Sequence, residues 1–130
     1  MNSRAQVTAE FLVVIIALLF VLNFAFGIYS SNLRLFSDFA QTSEMKISAA
    51  NIGNALDSVL FAGNGASAEF LFERKLDYNA GVSGSMLSLR SKNALVDFPL
   101  STSDIDFSSF EFNKKLKISN NLGRVVVENA

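Results

Sequence analysis

Apolar and polar residues are distributed along this chain in three successive regimes. From Phe11 to Ile28 the sequence FLVVIIALLFVLNFAFGI carries eighteen residues without a charge, and Asn23 is its only strongly polar member. From Tyr29 to Phe61 the pattern becomes amphipathic. Leu35, Phe36, Phe39, Met45, Ile52, Leu56, Val59 and Leu60 recur at near-helical spacing, while Asp38, Gln41, Glu44, Lys46, Asn51 and Asp57 fill the other faces. From residue 66 onward the period shortens to that of strands. These regimes predict one long helix, or two nearly collinear pieces, from about Thr8 to Phe61, followed by a β-rich segment over 66–130.

The first Pro in the chain is Pro99, so no ring forces the helix to stop early. Gly27 and Gly53 are its candidate bends, and Ala62-Gly63-Asn64-Gly65 is a strong stop signal. Such a helix would be roughly 80 Å long at 1.5 Å per residue. In the β-rich segment, Glu69–Leu76 alternates with Phe70 and Phe72 on one face, and Tyr78–Val82 is a second strand. Met86–Arg90 and Ala94–Phe98 flank Ser91-Lys92-Asn93 as a hairpin, and Pro99 marks a strand end or sheet edge. Leu100–Ser109 reads as a polar, acidic loop. Phe110–Ser119 alternates again, and Asn120–Gly123 is a turn before a last strand, Arg124–Glu128. Five to seven antiparallel strands are expected. A sheet of about 65 residues makes a marginal core by itself, so the amphipathic half-helix should lie on it and bury Leu56, Val59, Leu60 and Phe61. The expected fold class is α+β: a long N-terminal helix, first membrane-like (6–29) and then amphipathic (30–62), packed on a small antiparallel head (66–130).

The first regime is close to the roughly 20 apolar residues that cross a bilayer. Tyr29 suits the membrane–water interface, and Arg4 with the amino terminus places Met1 on the cytoplasmic side, with the chain after Tyr29 outside. Three readings compete. A cleaved secretory signal would have a shorter core, about 7–15 residues, and would be cut near Ala25-Phe26-Gly27. A plain signal anchor fits the length. A buried core helix would need far more surrounding protein than this chain supplies.

Composition narrows the chemistry. The 130 residues include no His, no Cys and no Trp, and the formal net charge is −1. Disulfides, thiol nucleophiles and the usual zinc, haem and iron–sulfur sites are therefore excluded. The balanced charge gives no electrostatic footprint for nucleic acid. Asp104-Ile105-Asp106 lacks the ligand spacing and Gly of an EF-hand, and Gly63-Asn64-Gly65 has no following Lys-Ser/Thr to make a phosphate loop. Lys114, Lys115 and Lys117 read as a solvated strand face. Serines abound without a base to activate one, and no Asn-x-Ser/Thr sequon occurs. No catalytic residue, cofactor or metal site is expected, and the chain does not read as an enzyme.

Glu10 stands out against this background, at the head of the apolar run where an anchor helix usually carries basic residues. A carboxylate in or near the bilayer costs on the order of 2.5 kcal/mol or more toward the centre. At a helix N-terminus in the headgroup region, the macrodipole would instead favour it by about 0.3–1 kcal/mol. The stretch Ser3-Arg4-Ala5-Gln6-Val7-Thr8-Ala9-Glu10-Phe11 resembles the class III signal peptide of archaeal type IV pilin-like proteins: a short basic leader, a small residue, then Gln-x-Ser-x-Glu-Phe and a long apolar stretch. Here Ala5 stands where that family often has Gly, and Thr8 where it usually has Ser.

The resemblance implies cleavage of the 1–5 leader between Ala5 and Gln6 by an archaeal prepilin peptidase, with Gln6, Thr8, Glu10 and Phe11 as the processing and assembly motif. Glu10 becomes the fifth mature residue, and cleavage creates an α-ammonium on Gln6 with a reference pKa near 8. The implied partner of Glu10 is that new amino terminus on a neighbouring subunit. Self-pairing is the alternative, because Gln6 and Glu10 are four apart on one helix.

The implied function is a structural subunit, major or minor, of a cell-surface filament, whose partners are copies of itself and whose helix lies in membrane lipid before assembly. Phe11, Phe20, Phe24 and Phe26 are candidates for packing in the filament core. Ala17, Ala25 and Gly27 could allow close helix approach without forming GxxxG. Two alternatives stay open: a monomeric membrane-anchored module that binds a partner through the sheet or the 100–109 loop, and a pseudopilin-like part of a secretion or motility machine.

Overall fold

A helix with no internal Pro and a double-glycine stop should run to its stop signal, and it does. The computed structural model describes residues 3–130, with side chains described from Gln6 onward, so the predicted leader (1–5) lies outside the residues with described side chains. Helix α1 (Ser3–Phe61) is 59 residues long and carries Gly27 and Gly53 inside it without interruption; neither glycine is a break. Past Phe61, Gly63 and Gly65 adopt positive φ of 95° and 85°, a conformation that costs glycine nothing and other residues more. The chain divides into two units, Met1–Ser37 and Asp38–Ala130.

The second unit contains the strands β1 (Ser67–Leu71), β2 (Asn79–Ser83), β3 (Met86–Arg90), β4 (Leu95–Pro99), β5 (Ile105–Asp106), β6 (Lys115–Asn121) and β7 (Arg124–Asn129). They form a four-stranded sheet of order β1-β6-β7-β5 and a three-stranded sheet of order β2-β3-β4. The α+β architecture is as expected from the sequence, with the strands in two sheets. Along α1, Met45, Ala49, Ile52, Leu56 and Val59 alternate four and three residues apart and are all buried, which places them on one face of a helix. Leu87 and Leu89 of β3, Leu116 and Ile118 of β6, and Val125 and Val127 of β7 meet that face in one cluster. Each such side chain contributes about 1.5–3 kcal/mol on burial.

Several strand bounds and burials differ from the sequence expectation, each for a local reason. Phe61 is 75% exposed: it stands two residues beyond Val59, which turns it away from the buried stripe. Leu35, Phe36 and Phe39 are exposed as well; coverage of α1 begins at the half-buried Gln41, and full burial begins at Met45. The first strand ends at Leu71 rather than Leu76, because Asn113 N–H donates to the Phe72 carbonyl (2.9 Å) and Arg74 N–H donates to Asn113 Oδ1 (2.9 Å), taking the chain off the ladder.

Phe110 and Phe112 are in turns, and β6 starts at Lys115. Their alternation comes from aromatic packing instead of a pleat: Phe107 stacks on Phe110 at 4.4 Å between centroids, Phe110 meets Phe112 edge-on at 5.0 Å, and Phe112 meets Tyr78 at 5.3 Å. Asn113 at φ 60° makes the turn that separates them from β6. The expected loop 100–109 contains β5, which pairs in parallel with β7, so the pairing is not wholly antiparallel.

Asn120 is the one buried polar side chain among the described residues, at 2% exposure. Its Nδ2 donates to the Leu60 carbonyl (3.0 Å) and, at 3.5 Å, to that of Val59, while its Oδ1 accepts from Gly123 N–H (2.8 Å). The last carbonyls of a helix have no partner within it; here a strand residue supplies one. Nearby, Asn64 Oδ1 accepts from Leu122 N–H at 2.8 Å. The end of α1, the following turn and the β6–β7 hairpin are thereby tied together.

Gly53 has a packing role. A Cβ placed on it would lie 2.3 Å from Cδ1 and Cε1 of Phe98. Mid-helix Gly→Ala normally gains about 1 kcal/mol, whereas overpacking costs about 1–3 kcal/mol. Gly53→Ala is therefore expected to lower stability in the native background and to raise it when combined with Phe98→Ala. Thermal or denaturant unfolding of the two pairs checks this; stabilisation in both backgrounds would show that the ring gives way freely.

Candidate functional site

The residues singled out by the sequence lie on the N-terminal part of α1. Gln6, Thr8, Glu10 and Phe11 are all helical and exposed, and Ala5 belongs to the helix with its side chain outside the described set. Gln6 Nε2 donates to Glu10 Oε1 at 3.4 Å, one turn further on. The i,i+4 spacing thus brings the two ends of the motif together on one helix face. This contact joins a neutral amide to a carboxylate, and among the described residues Glu10 pairs with no cation.

Beyond Glu10 the helix shows apolar side chains on every side. Its most apolar eighteen-residue window has a mean hydropathy of 2.9, none of it buried within the protein. Phe11, Phe20, Phe24 and Phe26 are each exposed, as are Leu12 to Ile16 without a gap. An amphipathic surface helix would show one covered stripe; this stretch has none. The helix is long and apolar enough to cross a membrane. Asn23, Gly27 and Ser31 stand four apart in a shallow groove flanked by Phe20 and Phe24, and Ser30 Oγ donates back to the Gly27 carbonyl at 3.1 Å, which gives that hydroxyl a partner within the helix. A Cβ on Gly27 would meet nothing within 4 Å inside the chain.

The exposed apolar surface does not stop at Tyr29. Leu33, Leu35, Phe36 and Phe39 extend it. Sequence reasoning assigned Leu35, Phe36 and Phe39 to the face packed on the head. The composition of 33–39 gave no means to distinguish coverage by this chain from coverage by something else.

The 100–109 segment, the other named candidate, is tied down by charge. Arg124 of β7 reaches Asp104 at 3.6 Å through Nε and Asp106 at 3.7 Å through Nη2. Ser108 donates to Asp106 Oδ1 from its hydroxyl (2.7 Å) and its N–H (3.3 Å). These two Ser108 bonds, and to a lesser degree Arg124, hold the Asp106 carboxyl below its ordinary range. Comparison with known proteins adds no assignment: no family model matches the chain, and searches of curated proteins and of solved structures returned no match.

A depressed carboxylate pKa stabilises the fold above the unfolded value, about 3.9 for Asp, and that contribution disappears as pH falls through the lower folded value. The melting temperature of Asp106→Asn should therefore lie below that of the native chain from pH 7 to about 4, and the two should converge on further acidification. A gap that persists unchanged in strong acid would mean that the charge of Asp106 has no part in holding this segment.

Proposed function

We propose that this chain is a structural subunit of an archaeal type IV pilus-like surface filament, held in the cytoplasmic membrane by α1 before assembly and stacked through that helix afterwards. The observation that carries the reading is the length of uncovered apolar helix. From Val7 to Phe39 large apolar side chains are exposed throughout, a span of about 48 Å at 1.5 Å per residue. A bilayer core accounts for about 30 Å of it. A monomeric anchor would leave Leu33, Leu35, Phe36 and Phe39 in water, an exposed patch of the kind that marks an interaction surface. A bundle of identical helices covers the whole length.

The motif at the start of the helix supports the same reading. Removal of residues 1–5 by a prepilin peptidase would take away Arg4 and leave an ammonium on Gln6, a residue already in contact with Glu10. A buried carboxylate is tolerated when it is paired, and the freed amine of a neighbouring subunit, or of the same one, supplies the charge. Burial of the apolar surface would drive stacking, and the ion pair would set its register. Phe20, Phe24 and Phe26 supply bulk to the helix bundle, and Gly27 allows close approach.

Shearing cells and sequencing this chain in the released filament fraction is the direct test. The expected N-terminus is Gln6-Val7-Thr8. A chain that retains Met1, or begins after Gly27, rules the reading out, and a chain found only as a detergent-extracted monomer favours the anchored module. Glu10→Val is expected to insert and be cleaved normally while filament yield drops severely. Filaments at native yield from that variant would remove the register role of the carboxylate.

A further inference from the structure

The uncovered part of α1 carries few charges. After Glu10 the chain has none until Arg34, and the next is Asp38. Both side chains are exposed, and they stand among the exposed apolar residues Leu33, Leu35, Phe36 and Phe39. Arg34 and Asp38 are four apart and share a helix face. Among the described residues neither takes part in an ion pair, and Thr42 Oγ donates to the Asp38 backbone carbonyl, not to its carboxylate. A cation placed N-terminal to an acid is the poorer orientation for a pair within one helix.

The same order recurs at the start of the helix. On the filament reading, on which this inference rests, cleavage places an ammonium on Gln6, four residues before Glu10. Both sites then have a cation first and an acid one turn later. Copies inserted with one orientation in a membrane run parallel. Held level, two such copies would set Arg34 against Arg34 and Asp38 against Asp38, and like charges at close quarters suppress a contact. Shifted along the axis by four residues, about 6 Å at 1.5 Å per residue, Arg34 of one copy comes level with Asp38 of the next. The same shift, in the same direction, brings the Gln6 ammonium of the first level with Glu10 of the second. It also brings Asn23 level with Gly27, which has no side chain to obstruct a carboxamide.

We infer that Arg34 of one copy pairs with Asp38 of the next, and that this contact, together with the one at Glu10, sets an axial offset of about 6 Å between neighbouring subunits. The occupant of the uncovered face at 33–39 is a second copy of this chain, because a copy presents both charges in the required order and covers the rest of the face with its own Leu33, Leu35, Phe36 and Phe39. One copy contributes the cation and the other the acid, so the interface is heterologous. Each added copy brings a further Arg34 on one side and a further Asp38 on the other. Interfaces of that kind propagate into open helical arrays when the rotation does not close a ring. The apolar side chains supply the area, and the charge pair supplies the register.

The test is made on cells whose native chain is sheared off in filaments beginning at Gln6; cells that shed none overturn this inference and the filament reading together. Arg34→Asp and Asp38→Arg, expressed singly, set like charges against each other in the shifted contact. Each should lower filament yield more than about tenfold, with membrane insertion and leader cleavage as in the native chain. Co-expression of the two variants should restore filaments that contain both, since each chain supplies the sign the other lacks. A pair within one helix cannot be repaired in this way, because neither variant carries both signs at 34 and 38. If a reversed chain fails to reach the membrane, Arg34→Gln and Asp38→Asn replace the reversals, and each should lower the yield several-fold. Single variants at native yield, or inserted reversals that together yield no more than either alone, overturn the pairing of Arg34 with Asp38 and leave the filament reading standing.

Discussion

One helix has to be stable in two different surroundings, and everything else in the molecule follows from that constraint. Over residues 45–59 a single stripe of α1 is covered by the chain's own sheets. Over residues 7–39 no face is covered at all. In water, the exposed methyl and phenyl groups of the second stretch would each carry the usual cost of apolar hydration. Lipid or an apolar partner surface would remove that cost. On the function proposed above, a subunit that passes from membrane to filament would need a surface indifferent to which of these it meets, and a helix apolar on every side has that property.

The covered half shows how a small head is held to a long helix. About 65 residues of strand would be marginal alone, and the stripe from Met45 to Val59 completes the core. Asn120 adds a polar tie at the far end. Its carboxamide takes up carbonyls of Val59 and Leu60 that α1 cannot satisfy internally, and holds the β6–β7 hairpin at the same time. Truncation of that side chain would take this partner from the Val59 carbonyl, while the Leu60 carbonyl keeps the Gly63 N–H; an unpaired buried carbonyl costs more than its hydrogen bond is worth net. The aromatic group Phe70, Phe72, Phe107, Phe110, Phe112 and Tyr78 fills the region where the chain leaves the ladder.

The charged groups of the head are arranged for structure. Across the four-stranded sheet Glu69, Lys117 and Glu128 stand opposite one another in register, an alternation of sign that favours the pairing modestly. Arg124 draws the 104–106 segment against β7 and makes it a parallel edge strand. A short edge strand carrying charge discourages uncontrolled edge-to-edge pairing.

Local patterns in the amino-acid order were enough to determine the long helix, its end at Phe61, the α+β class, most strand positions and the motif around Glu10, because these depend on period, on glycine and proline, and on charge beside an apolar run. They also placed Gln6 and Glu10 on one face, since that needs only the helical repeat. Tertiary structure alone decided that Phe61 faces outward, that Phe110 and Phe112 belong to an aromatic group rather than a strand, and that 105–106 pairs in parallel with β7. It alone brought Asn120 beneath the end of α1. The reason is physical: alternation and helical spacing report which residues share a face, but which face is covered depends on partners sixty residues away, and no local pattern encodes that distance.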